Sequence, residues 1–222
     1  MCASWTLART AVGTLALIVP LACGKLPRSE GWENHRWFDC VQVAGTAEAP
    51  ELLVVWDGTG PLRSRLSDTL QFALWSDGRA IWRHGDLFEP ASYREFRVDA
   101  EEVDRLGALV VERTRGAVLA GPQTACSSEQ LILWRRSGKL AGVRSEAFLE
   151  QLGLPASGFG RVGVEVSAES EAEIERVGAK WGFRGEELDA VRSRLAIERA
   201  LGALVAAHPD ARVVTGVSLA SP

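Results

Sequence analysis

The sequence predicts an α+β fold in which antiparallel β-hairpins form a sheet and amphipathic helices pack on it. Three observations carry this. Apolar, strand-favouring runs flank Asp77-Gly78 within residues 70–83, a second pair of such runs flanks Ser137-Gly138, and apolar residues recur at helical spacing after Asp99 and again over residues 186–207.

The first hairpin is the clearest stretch. With Asp77 and Gly78 as a two-residue loop, both at positive φ as a type I′ turn requires, Ser76 pairs with Arg79. Counting outward places Trp75 opposite Ala80, Leu74 opposite Ile81 and Ala73 opposite Trp82. Leu70, Phe72, Leu74 and Ile81 then share one face, and Ala73, Trp75, Ala80 and Trp82 the other. Both faces are apolar, which places the hairpin inside a sheet covered on each side. The Trp face reads as a second core layer. The alternative is an exposed aromatic platform, which makes Trp75 and Trp82 the candidate binding surface.

Residues 1–22 carry one charge, Arg9, and an apolar run over residues 11–21 that ends in Ala22-Cys23. A run of that length is short for a bilayer span, which needs about 20 residues, and fits the h-region of an export signal. The Ala22-Cys23 step resembles the cleavage and lipidation site of bacterial lipoproteins, with Pro20 and Leu21 departing from that pattern. The resemblance implies that Cys23 becomes a lipidated first residue and holds the chain at a membrane; the alternative is an ordinary signal and a soluble secreted or periplasmic protein. Each buried CH₂ of an acyl chain adds about 0.8 kcal/mol of membrane affinity. Cys2 leaves with the signal, so Cys40 and Cys126 remain as a disulfide candidate. Closing that loop would contribute about 4 to 5 kcal/mol in the chain-entropy view.

Loss of Arg9 leaves 24 basic and 29 acidic residues, a net charge of −5, so no electrostatic footprint for nucleic acid is present. The organisation expected is a signal peptide (1–22), a tether and aromatic docking segment (23–50), a hairpin-rich α+β domain (51–156) and a helical C-terminal part (157–222) packed on the same sheet.

Each element has a local reason. Residues 51–56 form a continuous apolar run before a glycine turn, as a buried strand does. Asp99 and Glu102 make a capping box, Val98 and Val103 a hydrophobic staple, and Val103, Leu106 and Val110 one apolar stripe, weakened by Gly107. In the second hairpin Trp134 faces Ala141 and Ile132 faces Val143. A brief helix is expected over residues 145–152. A second capping box at Ser170 and Glu173 starts a helix with Ile174, Val177 and Trp181, ended by Gly182. The longest helix carries Leu188, Val191, Leu195, Leu201, Leu204 and Val205 and ends at His208-Pro209, and residues 213–219 close the chain as a strand.

Motifs that promise chemistry fail on context. The strand followed by Asp57-Gly58-Thr59 resembles the first motif of haloacid-dehalogenase-type phosphatases, but Val55 stands where the nucleophilic Asp is required. Gly158, Gly160 and Gly163 spell G-x-G-x-x-G, yet no strand precedes them and a strand-like run follows. His35, His84 and His208 stand apart, and no catalytic residue, metal ligand or cofactor site emerges. The carboxylates Glu171, Glu173 and Glu175 read as a solvated first helical turn.

Phe72, Leu74, Trp75, Asp77, Gly78 and Ile81, followed by Val98, Asp99, Glu101 and Glu102, resemble a pattern found in exported bacterial proteins and lipoproteins. It covers about a quarter of the chain and implies fold and export, with no activity. The functional expectation is an exported, lipid-anchored cell-envelope protein, a non-catalytic binding or structural module whose partner is the membrane plus an envelope protein or wall polymer. The alternative is a secreted hydrolase.

Overall fold

The computed structural model describes residues 33–44, 48–57, 69–84, 92–121, 129–146, 172, 174–176, 178–179 and 182–219. In chain order these form α1 (Glu33–Cys40), β1 (Val41–Val43), β2 (Leu52–Asp57), β3 (Thr69–Leu74), β4 (Arg79–His84), β5 (Ser92–Arg97), α2 (Ala100–Thr114), β6 (Val118–Ala120), β7 (Glu129–Arg136), β8 (Lys139–Glu146), α3 (Glu186–Ala206), β9 (Arg212–Val214) and β10 (Val217–Leu219).

The expected α+β architecture is present. Eight strands form one sheet in the order β6-β8-β7-β2-β3-β4-β5-β9, and β1 pairs with β10 in a separate ribbon. Every pairing is antiparallel except β6 with β8. β2 is central, and Leu52, Leu53, Val54 and Val55 are fully buried, because a strand covered on both faces needs no polar alternation.

One face packs under α2 and α3, joining Val54, Phe72, Trp82, Ile132 and Trp134 to Val103, Leu106, Val110, Ile197 and Leu201. Leu53, Val55, Leu70, Trp75, Ile81 and Leu133 cluster on the other with Trp37 and Phe38 of α1 and with Val43 and Val217 of the ribbon. Arg135 lays its guanidinium 4.3 Å from the Phe38 ring.

The N-cap half of the box expected at α2 forms, while the Glu102 carboxylate bonds Arg105. The Asp99 side chain accepts from Glu102 N at 2.8 Å, and Arg115 closes the helix in the left-handed conformation at φ 55°. The second hairpin has its expected register, Trp134 with Ala141 and Ile132 with Val143, across Ser137 and Gly138 at φ 51° and 75°. That is the positive-φ pair a two-residue type I′ loop needs.

The first hairpin differs. Its loop is three residues, Ser76, Asp77 and Gly78, because the Trp75 amide donates to Arg79 O at 2.9 Å and the Gly78 amide to Trp75 O at 3.0 Å. Only Gly78 adopts positive φ (79°), while Asp77 accepts the Arg79 amide on its carboxylate, giving a type I turn with a glycine bulge. Leu74 therefore pairs with Ala80, Ala73 with Ile81 and Phe72 with Trp82. One residue of slip turns β4 over. A bulge at Gln71, where Val54 opposes Phe72 and Val55 opposes Leu70, further puts Leu70 on the opposite face from Phe72.

Other expectations are corrected. Ser145 and Glu146 end β8 rather than starting a helix. The strand expected over residues 213–219 is split, with β9 on the edge of the large sheet and β10 on the ribbon, because Gly216 at φ 73° turns the chain between them. The glycine motif at residues 158–163, the capping pair Ser170 and Glu173, and Val177 and Trp181 lie outside the described residues. Ile174 is fully buried, and the Phe183 amide returns to Gly178 O at 2.8 Å, with Gly182 at φ 77° as the expected stop.

Candidate functional site: a groove at the open end of β5

Trp75 and Trp82 form no common surface. They sit on opposite faces of the sheet and are 3% and 4% exposed, which overturns the candidate binding platform. The reason is the three-residue loop, which inverts β4 relative to β3. Trp75 donates its indole N–H to Glu48 O at 2.9 Å and lies beside the Arg79 guanidinium, and Trp82 meets Phe96 edge to face at 5.2 Å. Of the two cysteines expected to bridge, Cys40 is buried at the end of α1 and Cys126 lies outside the described residues, as does Cys23.

The open polar site lies elsewhere. β9 pairs with β5 only over residues 93–95, so the chain from Ala207 to Ala211 diverges from β5 and leaves a cleft beside Phe96 and Arg97. It holds about 580 Å³ and is lined by Arg97, His208, Asp210, Ala211 and Arg212 around Phe96. A second hollow of about 560 Å³ shares Arg97, Ala207 and His208 and continues past Asp99, Glu102 and Arg105 at the start of α2. Together they make one shallow groove between the last turn of α3 and the first turn of α2.

His208 is its central ring. It stacks on Phe96 with centroids 4.1 Å apart and planes 23° from parallel, and its Nδ1 lies 2.9 Å from Leu204 O. A carbonyl can only accept, so Nδ1 carries the proton there and Nε2 is the acceptor in the neutral ring. The sequence placed His208 at a helix C-terminus, where the dipole explains a basic ring; the stack on Phe96 is a tertiary fact with no sequence signal.

Glu95 anchors one end of the groove. It is 5% exposed and bonded by two guanidiniums, Arg79 Nε at 2.9 Å and Arg212 at 2.5 Å. Burial pushes its carboxyl up, but the hydrogen bonds and charges of Arg212 and Arg79 outweigh this and hold it below the ordinary carboxylate range. A carboxylate so held is a structural anion and a poor base. Arg97 pairs with Asp77 at 3.2 Å, and Arg105 forks onto Glu102 at 2.6 and 2.7 Å. The groove thus offers exposed guanidiniums and carboxylates in near balance. Among the described residues no group of His, Cys, Asp and Glu could hold a metal ion, and no helix is long and apolar enough to cross a membrane.

Comparison of the chain with protein-family models, curated proteins and solved structures returned no significant match.

Proposed function

We propose that this protein is exported, anchored through lipid on Cys23, and acts as a non-catalytic binding module of the cell envelope. The observation that carries the reading is the N-terminal segment, one Arg and an apolar run ending at Ala22-Cys23. The groove around His208 is the contact surface this reading assigns. It is open, mixed in polarity and rimmed by paired charges, unlike the enclosed apolar pockets that bury small molecules, and so suits an extended partner with both polar and apolar faces, such as a wall polymer. Its described lining brings carboxylates and one imidazole together without a Ser, Thr or Cys, which favours contact over acyl transfer.

Mass spectrometry of the mature N-terminus tests the anchor. The expected result is a first residue Cys23 carrying acyl mass; an unacylated terminus at another residue overturns it. Co-sedimentation of the mature protein with purified wall polymer tests the surface. Binding is expected to fall at least tenfold in His208→Ala and Asp210→Ala variants that keep the wild-type melting temperature, and binding unchanged in both overturns the assignment.

A further inference from the structure

We propose that the groove takes an extended peptide, which adds to the open end of β5 as a short antiparallel strand and pairs its main chain with that of Arg97. The inference rests on the groove being a contact surface, and names peptide rather than sugar as what that surface recognises.

The ladder fixes where the main chain of β5 points. The Val98 amide donates to Gly78 O at 2.9 Å, and from there the β4–β5 register runs without a shift to Ser92 opposite His84. Hydrogen-bonded pairs alternate along an antiparallel ladder, so Phe96, Arg94 and Ser92 bond toward β4, while Arg97, Glu95 and Tyr93 aim their N–H and C=O at the opposite edge. There β9 meets Glu95 with Arg212 and Tyr93 with Val214, and the pairing ends. In that register Arg97 would next meet Asp210. It does not, because the chain leaving α3 is still turning: the His208 amide donates to Val205 O at 3.0 Å, and the Ala211 amide to His208 O at 3.3 Å. Arg97 is exposed and lines both hollows of the groove, and among the described residues neither its amide nor its carbonyl has a hydrogen-bond partner.

An edge left this way is a template for another strand. One donor and one acceptor on the same residue, both facing outward in the sheet, match the N–H and C=O of a single residue on an antiparallel strand about 4.8 Å away. The cleft of about 580 Å³ lies where that strand would run. Alternate side chains of the peptide would meet the His208 ring over Phe96 on one face, and Arg97 and the 75% exposed Arg212 on the other. The main chain carries the recognition, as in other cases of strand addition, so many peptide sequences are accepted.

Nuclear magnetic resonance titration of the isotope-labelled mature protein with a pool of acetylated, amidated pentapeptides of random sequence is the test. The expected result is a downfield shift of the Arg97 amide proton and at least tenfold slower exchange of that proton with solvent; a pool with N-methylated backbones and chitohexaose should produce neither. No change at Arg97 with the peptide pool, or the same change with the methylated pool or the sugar, overturns the proposal. Arg97→Pro removes an N–H that bonds nothing in the fold, so it should weaken binding of the pool at least tenfold more than Arg97→Ala does, and equal losses overturn the proposal as well. Where the proline variant fails to fold, the wild-type titration decides. Wall-polymer binding that falls in His208→Ala while the peptide pool leaves Arg97 unmoved sinks this inference and leaves the contact surface standing.

Discussion

Gly107 of α2 lies against the Trp134 indole so closely that a methyl group on its α-carbon would stand 2.3 Å from Cζ2 and 2.6 Å from Cε2. The residue that weakens the helix by propensity is the one that lets the helix approach the sheet. Both partners are buried, and α2 packs there on β7 and β8.

Gly107→Ala is therefore expected to destabilise the fold. Alanine improves helix propensity by up to about 1 kcal/mol, but overpacking a close contact costs about 1–3 kcal/mol. The net loss should lower the thermal midpoint by several degrees, and Gly107→Ala combined with Trp134→Leu should lose less than the two separate changes added. Differential scanning calorimetry of the four proteins checks both.

The two hairpin glycines are expected to differ. Gly78 and Gly138 both have positive φ, so alanine at either pays the left-handed cost of about 1–2 kcal/mol. A Cβ at Gly138 meets open space, whereas one at Gly78 would stand 2.0 Å from the Val98 carbonyl oxygen. Gly78 also accepts the Val98 amide at 2.9 Å, which ties this loop to the entry of α2. Urea midpoints should fall clearly further for Gly78→Ala than for Gly138→Ala.

Acid stability should report on Glu95. Its folded-state value is held below the ordinary 4.5, so its contribution is fully present above the unfolded value and is lost as pH falls through the folded one. Glu95→Gln should be destabilising at neutral pH, with the gap to wild type narrowing as pH drops below about 4.5. Urea unfolding at a series of pH values measures it, and a gap constant from pH 7 to 3 would sink the account.

The buried pair Arg194 and Glu198 should be costly to break and cheaper to replace. Their side chains are 3% and 7% exposed, so removing one takes the countercharge away from a buried ion, a loss of about 3–5 kcal/mol. Arg194→Met alone should lower the urea midpoint more than Arg194→Met with Glu198→Leu, which leaves no charge of the pair behind.

What the sequence determined by itself is what short-range chemistry decides. The Ser137-Gly138 register follows from two adjacent residues that accept positive φ, the start of α2 from one Asp side chain and an amide three residues on, and the interior place of β2 from an unbroken apolar run. The stripe of α3 is legible only in part: Val191, Leu195, Leu201, Leu204 and Val205 are buried, but so are Ser193, Arg194 and Glu198, which no apolar period singles out. Tertiary structure decided the rest. Asp77-Gly78 allows either a two- or a three-residue loop, and the three-residue form, in which Gly78 docks on Val98, sets the register of β4 and sends Trp75 and Trp82 to opposite faces. The groove is likewise a meeting of distant segments: Phe96 is brought under His208 only because α3 crosses the sheet and β9 returns to its edge. Such contacts join residues more than a hundred positions apart. No local propensity encodes them, because their energy appears only once both elements are already packed.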